Sequence, residues 1–587
     1  MPAYRLKRAL SPAELDALAP HPPLIAGLLF HRGIRDAAAA QRFLEPDYAA
    51  HTHDPYLLKD AEKAAERIVR AIRGRERIAI YSDYDADGIP GAVIWQDFFS
   101  RIGFTDFSIY IPHRHDEGFG LNDEAVAQLA GEGVRLLVTL DCGITDAGPI
   151  SLAAEKGMDV IVTDHHEPPQ ALPSAYAIVD HKQDGCRYPD KGLCGSGVAY
   201  KLIQAVIKKN AEGAAAGAPA FPWKDGHEKW LLDMVGIATL SDMVPLTGEN
   251  RVFARYGLEV LRKSPRKGLV RLLEKLNIPQ RHLTEDDIAF MVTPRINAAS
   301  RMGQPMDAFR LLSARTDEDA RELADRLDAV NSERKGVVAA LSKEVKRILH
   351  DRYGDDRSAL PSAIVLGNPE WRPSLLGLVA NACAEQLSRP VFLWGRDGDG
   401  GIKGSCRSEG ASHVVEIMRA VPEGVLLKFG GHKHSGGFEA SRDHIHFLDG
   451  HIVAAAEKES GARGAEGGDE GEEADAELSM DDIDDGLHRR IAALAPFGTG
   501  NPKPVFVFRK ATPVSVRAFG KAQEHIEVGF ARSDGKKIPA ISFFGAGKEW
   551  AGKVAVGAPV DLVASIEKSM FRGRPELRLR IEDVIYS

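Results

Sequence analysis

The sequence predicts an α/β protein: a doubly wound parallel sheet, a long connecting helix, a second α/β domain and a C-terminal β-barrel. Three patterns carry this expectation. Between Arg77 and Val179, short apolar runs ending in polar turns alternate with helical segments, as in a parallel sheet covered on both faces. Ala320, Leu323, Leu327, Val330, Val337, Leu341, Val345 and Ile348 recur at helical spacing with charges between them. Late in the chain strict alternation takes over, as in Val505-Phe506-Val507-Phe508 and Leu577-Arg578-Leu579-Arg580-Ile581, the pattern of small antiparallel barrels.

Taken in order, residues 1–55 are expected to pack on the core of the first domain, which spans 56–265 with sheet strands near residues 77–81, 107–111, 135–140, 159–163 and 177–179. Residues 266–355 make a helical connector, and 356–458 a second domain with strands near 363–366 and 390–393 around a helix at 375–387. Between Glu466 and Asp485 the chain carries 11 acidic residues and no Lys or Arg. Such a stretch self-repels and buries little apolar surface, so 459–485 is expected to be an acidic disordered linker. Residues 486–587 then form the barrel.

The 587 residues, 44% hydrophobic and 27% charged, suffice for several cores. No apolar run approaches the roughly 18 to 20 residues of a membrane helix, and no cleaved signal is evident. Cys142, Cys186, Cys194, Cys383 and Cys406 are scattered without a Cys-x-x-Cys pair, which disfavours disulfides and structural zinc and fits a reducing cytoplasm. The net charge of -9 is concentrated in the acidic stretch, so local basic patches decide partners.

The strongest chemical signal is Asp83-Tyr84-Asp85-Ala86-Asp87-Gly88, directly after a strand. Carboxylates at alternate positions repel unless a cation neutralises them. A solvated turn also suits this pattern; a calcium loop fails, because its twelfth position is Ile94 instead of glutamate. Two more strands end in Asp141 and in Asp164-His165-His166, and Asp242 follows an apolar segment. The carboxyl ends of parallel strands share one crevice, so these groups converge there. Carboxylates mixed with imidazole and no thiolate suit Mn²⁺ or Mg²⁺. Their number favours two ions bridged by one carboxylate, a phosphoester hydrolase arrangement.

Asp83 to Gly88 together with Asp164-His165-His166 resembles the DHH phosphoesterase superfamily. Phe119-Gly120-Leu121-Asn122, Ala238 to Leu246, Pro294 to Ala299 and Phe429-Gly430-Gly431-His432 narrow the resemblance to the RecJ family of bacterial exonucleases. It implies DHH, DHHA1 and OB-fold domains and 5′ to 3′ degradation of single-stranded DNA to mononucleotides, in repair and recombination. It implies Asp85, Asp87, Asp141, His165 and Asp242 as metal ligands, Asp141 bridging. Asp83, Asp164 and His166 become further ligands or groups that orient them, and Asp141, His166 and Asp83 the catalytic expectation. Single-strand-binding protein and a helicase are implied as partners of a monomeric chain.

A strand cut from its 5′ end needs guanidinium forks for the terminal phosphate. The candidates are Arg114, Arg295, Arg301 and Arg407, with Asn297, Ser405 and His432 beside them. In the barrel, Lys568, Phe571, Arg572 and Arg574 interleave cations with an aromatic, which suits base stacking and phosphate tracking. The family pattern is broken at Trp371-Arg372-Pro373-Ser374, at Ser300 and at Lys433 to Gly437. The rival readings are a DHH phosphodiesterase for short oligonucleotides or cyclic dinucleotides, and a non-catalytic DNA-binding scaffold.

Overall fold

Strands rich in Val, Ile and Leu on both sides are stable only where helices cover both faces, and the first sheet meets that condition. In the computed structural model, which describes residues 4–354, 356, 359–398, 400–410, 412–462, 473–569 and 575–586, a short strand β1 (Arg5–Leu6) comes first. The strands β2 (Ile78–Ser82), β3 (Phe107–Tyr110), β4 (Leu136–Leu140), β5 (Asp159–Thr163) and β6 (Ala177–Val179) then form an all-parallel sheet in the order β3-β2-β4-β5-β6. Its residues divide by alternation. Ile78, Ile80, Val138 and Ile161 join one apolar cluster with the helices Ala61–Gly74, Gly88–Ile102 and Gly195–Ala215. Ala79, Tyr81, Leu137 and Val162 join another with the helices Asp123–Gly131 and Ala147–Glu155.

The amphipathic pattern after Ala320 is a single helix of 37 residues, Asp317–Tyr353, started by Thr316, whose hydroxyl accepts from the Asp319 amide at 3.1 Å. Its Ala324 and Leu327 enter the core of the first domain, whereas Leu341, Val345 and Leu349 enter that of the second. One rigid element thus joins the two domains. The second sheet comprises β7 (Ile364–Gly367), β8 (Val391–Arg396), β9 (Ile402–Arg407), β10 (Leu426–His432) and β11 (Ser435–Ala440), in the order β10-β11-β9-β8-β7. Only β7 and β8 pair in parallel within it.

The third sheet comprises β13 (Ala476–Glu477), β14 (Phe506–Ala511), β15 (Pro513–Phe519), β16 (His525–Ala531), β17 (Lys537–Ser542), β18 (Val560–Ser569) and β19 (Glu576–Ile585). Just before it, β12 (Glu473–Ala474) pairs with β1. These strands revise the expectation of a disordered linker over 459–485. The helix Leu448–Ala462 runs through its start, residues 463–472 lie outside the described residues, and 473–485 is built into the C-terminal module. The acidic residues there are paired: Glu473 with Arg5, Asp475 with Lys7, Glu477 with Arg509 and Asp485 with Lys568, at 3.4, 2.9, 3.0 and 2.7 Å. Cations up to 468 positions distant cancel a repulsion that looked uncompensated locally.

The N-terminal segment also departs from expectation. Leu18, Ile25, Leu28, Leu29 and Ile34 share a cluster with Phe506, Phe508, Val528 and Leu579 of the barrel, while Tyr48 belongs to the core of the first domain. The segment therefore ties the two ends of the chain together. Arg251, fully buried, completes the tie: Nε donates to the Phe43 carbonyl at 2.6 Å, and Nη2 to the Leu494 and Ala495 carbonyls at 2.9 and 3.0 Å. Burial pushes its guanidinium down to about 9. Among the described residues, no helix is long and apolar enough to cross a membrane.

Arg251→Met removes donors from buried carbonyls on both sides of this junction and is expected to cost about 2–4 kcal/mol. Denaturant unfolding and limited proteolysis should report the loss, with cleavage appearing first in the N-terminal segment.

Candidate metal centre and nucleic-acid cleft

The centre is built at the carboxyl ends of β2, β4 and β5. After β2 the chain turns sharply: Asp85 Oδ1 accepts from the amides of Asp87 and Gly88 at 2.8 and 3.2 Å. A Cβ at Gly88 would lie 2.4 Å from the Asp83 carbonyl oxygen, so only glycine fits. The Asp87 carboxylate accepts from the amides of Gly195 and Ser196 at 2.6 and 2.7 Å, at the start of the helix Gly195–Ala215. That helix end fixes the carboxylate and favours its charge. Asp141 follows β4 with a left-handed φ of 60°, and a Cβ on Gly195 would fall 2.6 Å from its side chain. Close approach of helix and carboxylate requires glycine here as well.

After β5, Asp164 acts as an organiser. One oxygen accepts from the His165 amide and from His166 Nδ1, each at 2.7 Å, and the other accepts from the Ile144 amide at 3.0 Å. Burial opposes its ionisation, but the His166 donor and the surrounding charges outweigh it and hold the carboxyl below its usual value. Burial likewise pulls the His166 imidazole down, but Asp164 prevails and its value rises. His165 is pushed down to about 3 by burial and is a neutral ligand-type imidazole.

The remaining groups converge on His165. Its Nε2 lies 3.1 Å from Asp141 Oδ1, 3.7 Å from Asp242 Oδ2 and 3.8 Å from Asp87 Oδ2. Three overlapping donor sets, each within 4.8 Å, result: Asp83, Asp85, Asp141; Asp87, His165, Asp242; and Asp141, His165, His166. Burial, then neighbouring carboxylates, pushes Asp83, Asp141 and Asp242 well above the ordinary carboxyl range and Asp87 to about 6. Asp83 Oδ1 and Asp141 Oδ1 are buried without a hydrogen-bond partner. Orphaned acceptors, crowded carboxylates and a neutral imidazole fit a hard divalent cation. The thiols of Cys142 and Cys194, pushed up by burial, do not add soft ligands.

A cavity of about 1230 Å³ lies between the first and second domains. Arg114, Phe119, Arg372, Ser405, Lys428 and Phe429 are among its walls. Arg114 stacks over the Tyr84 ring at 4.9 Å. Phe119, 54% exposed, meets His166 edge to face at 5.7 Å. Arg301 is pushed down to about 9 by burial, then by Arg114 and Arg334, and Arg407 is lowered by burial. His432 is lowered by burial, then by the charges of Lys182 and His166 of the first domain.

Two of the candidate substrate residues have other engagements. Arg295 is buried, pairs with Asp328 at 3.0 Å and donates to the Met291 carbonyl; it braces the connector. Asn297 Oδ1 accepts from the Ala86 amide at 2.9 Å and so holds the Asp85–Asp87 turn. Gly195 and Ser196 lie outside the sequence expectation, although glycines opening a long helix after Cys194 are a visible sign of close approach. Phe119 enters the expectation only as part of the Phe119-Gly120-Leu121-Asn122 motif, without a role at the site. In the barrel, Lys568 is covered by Asp485, while Phe571, Arg572 and Arg574 lie outside the described residues. An aromatic group absent from the expectation, Phe519, His525, Phe543 and the exposed Phe544, stands there with Arg580 4.3 Å from the Phe543 centroid.

Known proteins resemble the chain over most of its length. The family models that match are the DHH family, N-terminal domain, at residues 77–221, the DHHA1 domain at 360–449 and the RecJ OB domain at 474–583. Single-stranded-DNA-specific exonuclease RecJ of Bacillus subtilis (strain 168) is 32% identical over 566 residues, 96% of this chain and 68% of that protein. RecJ of Dickeya dadantii (strain 3937) is 30% identical over 575 residues, 96% of each chain. The solved structure of RecJ in complex with Mn²⁺ from Thermus thermophilus superposes with a TM-score of 0.78 at 28% identity, covering 100% of this chain and 79% of that one. A Mg²⁺ complex of the same protein gives 0.70.

Asp141→Asn removes one charge from a crowded buried set. It is expected to raise the thermal midpoint of the metal-free protein while abolishing the stabilisation that Mn²⁺ gives the unaltered chain. Asp164→Asn is expected to weaken Mn²⁺ binding roughly 10- to 100-fold by releasing His166 and the Ile144 loop, measured by calorimetric titration.

Proposed function

The chain belongs to the RecJ family of single-stranded-DNA-specific exonucleases, and from that premise we propose how its own residues degrade a strand. It is a metal-dependent exonuclease on single-stranded DNA whose cofactor is Mn²⁺ or Mg²⁺. The observation that carries the proposal is the convergence of Asp83, Asp85, Asp87, Asp141, His165 and Asp242 beside a cavity walled by cations and aromatics.

Asp83, Asp85 and Asp141 would hold one ion and Asp87, His165 and Asp242 the other, with Asp141 3.1 Å from His165 of the second set. Divalent ions held there supply a lowered water pKa and neutralise charge on the phosphate. The protein's part is orientation. The helix end at Gly195 and Ser196 fixes Asp87, and Asn297 fixes the turn that carries Asp85. His166 Nδ1–H donates to Asp164, whose charge favours the imidazolium, and in that form the ring also presents Nε2–H to a phosphate oxygen as charge develops.

Arg114, Arg301 and Arg407, with Ser405, receive the 5′-terminal phosphate, which sets the 5′ to 3′ direction. Phe119 stacks a base near the cut. His432 closes the site from the second domain. A strand enters between two domains that the Asp317–Tyr353 helix holds at fixed separation, and the wider duplex is refused. The barrel guides the strand through its aromatic and basic surface. Single-strand-binding protein and a helicase remain part of the proposal as partners of a monomer. The free state of all five cysteines supports a reducing cytoplasmic setting.

With Mn²⁺, the protein is expected to release mononucleotides from the 5′ end of a 5′-phosphorylated single strand and to leave the matching blunt duplex intact. Asp141→Asn or chelation should lower the rate by at least about 10³-fold, on the scale expected when an essential catalytic group is removed. Release from the 3′ end instead would refute the assignment of the arginines.

A further inference from the structure

Three separate segments meet at the carbonyl of Arg301. The residue ends the helix Thr293–Met302 of the connector, and its carbonyl accepts from the Ser374 hydroxyl at 3.2 Å. His115 Nε2 lies 3.1 Å from the same oxygen, so the imidazole donates there. The contact is reciprocal: Arg301 Nη1 donates to the Ser374 carbonyl at 2.7 Å. Ser374 is buried in the first turn of the helix Pro373–Leu387, so this joins the connector directly to the second domain.

The join has an electrostatic purpose. Among the described residues, no carboxylate lies within ion-pairing distance of Arg301, and its Nε and Nη2 have no protein acceptor. Arg114, Arg334 and Arg407 are its like-charged neighbours, offset in part by Asp85. A half-buried guanidinium among like charges, with no carboxylate close enough to pair with it, is driven towards solvent unless something anchors it. Ser374 and His115 anchor its backbone, and the Ser374 carbonyl anchors one nitrogen, which leaves the remaining donors for an incoming anion. We propose that Ser374 is a positioning residue for the 5′-terminal phosphate: through Arg301 it sets how strongly a phosphorylated end is preferred over a hydroxyl end. The inference rests on the assignment of Arg301 to that phosphate.

The test uses the full chain with Mn²⁺ and one single strand carrying either a 5′-phosphate or a 5′-hydroxyl. Ser374→Ala is expected to raise KM for the phosphorylated strand roughly 5- to 10-fold, the scale of one lost hydrogen bond. Its kcat should hold, as should KM for the hydroxyl strand, and Ser374→Thr should restore the preference. An equal change on both strands, or none, overturns the proposal. Arg301→Gln is run beside it. Should the phosphate preference survive in Arg301→Gln, the assignment of Arg301 fails and this inference with it. Should Arg301→Gln lose the preference while Ser374→Ala keeps it, only the role of Ser374 falls.

Discussion

Crowded carboxylate charge around Asp141 is the constraint on which the rest of the structure turns. Two carboxylates about 4 Å apart repel by about 4 kcal/mol at an effective dielectric of about 20, and burial adds to that. Several such pairs rival the whole stability of a typical domain, roughly 5–15 kcal/mol. The fold accepts them because the sheet, the helix start at Gly195 and the Asp242 turn are each braced by extensive cores. A divalent cation turns the strain into affinity. The active centre is therefore a locally unfavourable region maintained by a large, well-packed surround, a common bargain between stability and activity.

The same logic explains the architecture beyond the centre. Hydrolysis at one strand end requires that the groups receiving the terminus and the groups cutting it keep a constant separation. In the proposed arrangement they are spread over the domains: the acids and Arg114 on the first, Arg301 on the connector, and Ser405, Arg407 and His432 on the second. A single long helix shared by both cores, together with the Arg301–Ser374 contact, supplies that constancy. Two departures from the family pattern, Ser300 and Arg372-Pro373-Ser374, lie on the two sides of this contact. Arg372 Nη1 is 3.8 Å from Met302 Sδ across it.

Much of this was legible in the sequence. The parallel strands, the long helix and the barrel follow from hydrophobic periodicity, and the acids at strand ends follow from topology. What was illegible depends on distant partners. The acidic stretch looked disordered because Arg5, Lys7, Arg509 and Lys568 are remote from it in the chain. The N-terminal segment was matched to the nearer core, whereas its apolar residues meet the barrel. Arg295 and Asn297 stand in a motif rich in substrate candidates, yet Asp328 and the Ala86 amide occupy them. No local pattern distinguishes an arginine that waits for phosphate from one already paired.

Anomalous scattering at the manganese edge from crystals grown with Mn²⁺ tests the central claim most directly. Two peaks are predicted, about 3.5–4 Å apart, one amid Asp83, Asp85 and Asp141, the other amid Asp87, His165 and Asp242. A single peak, or peaks away from Asp141, would contradict the account.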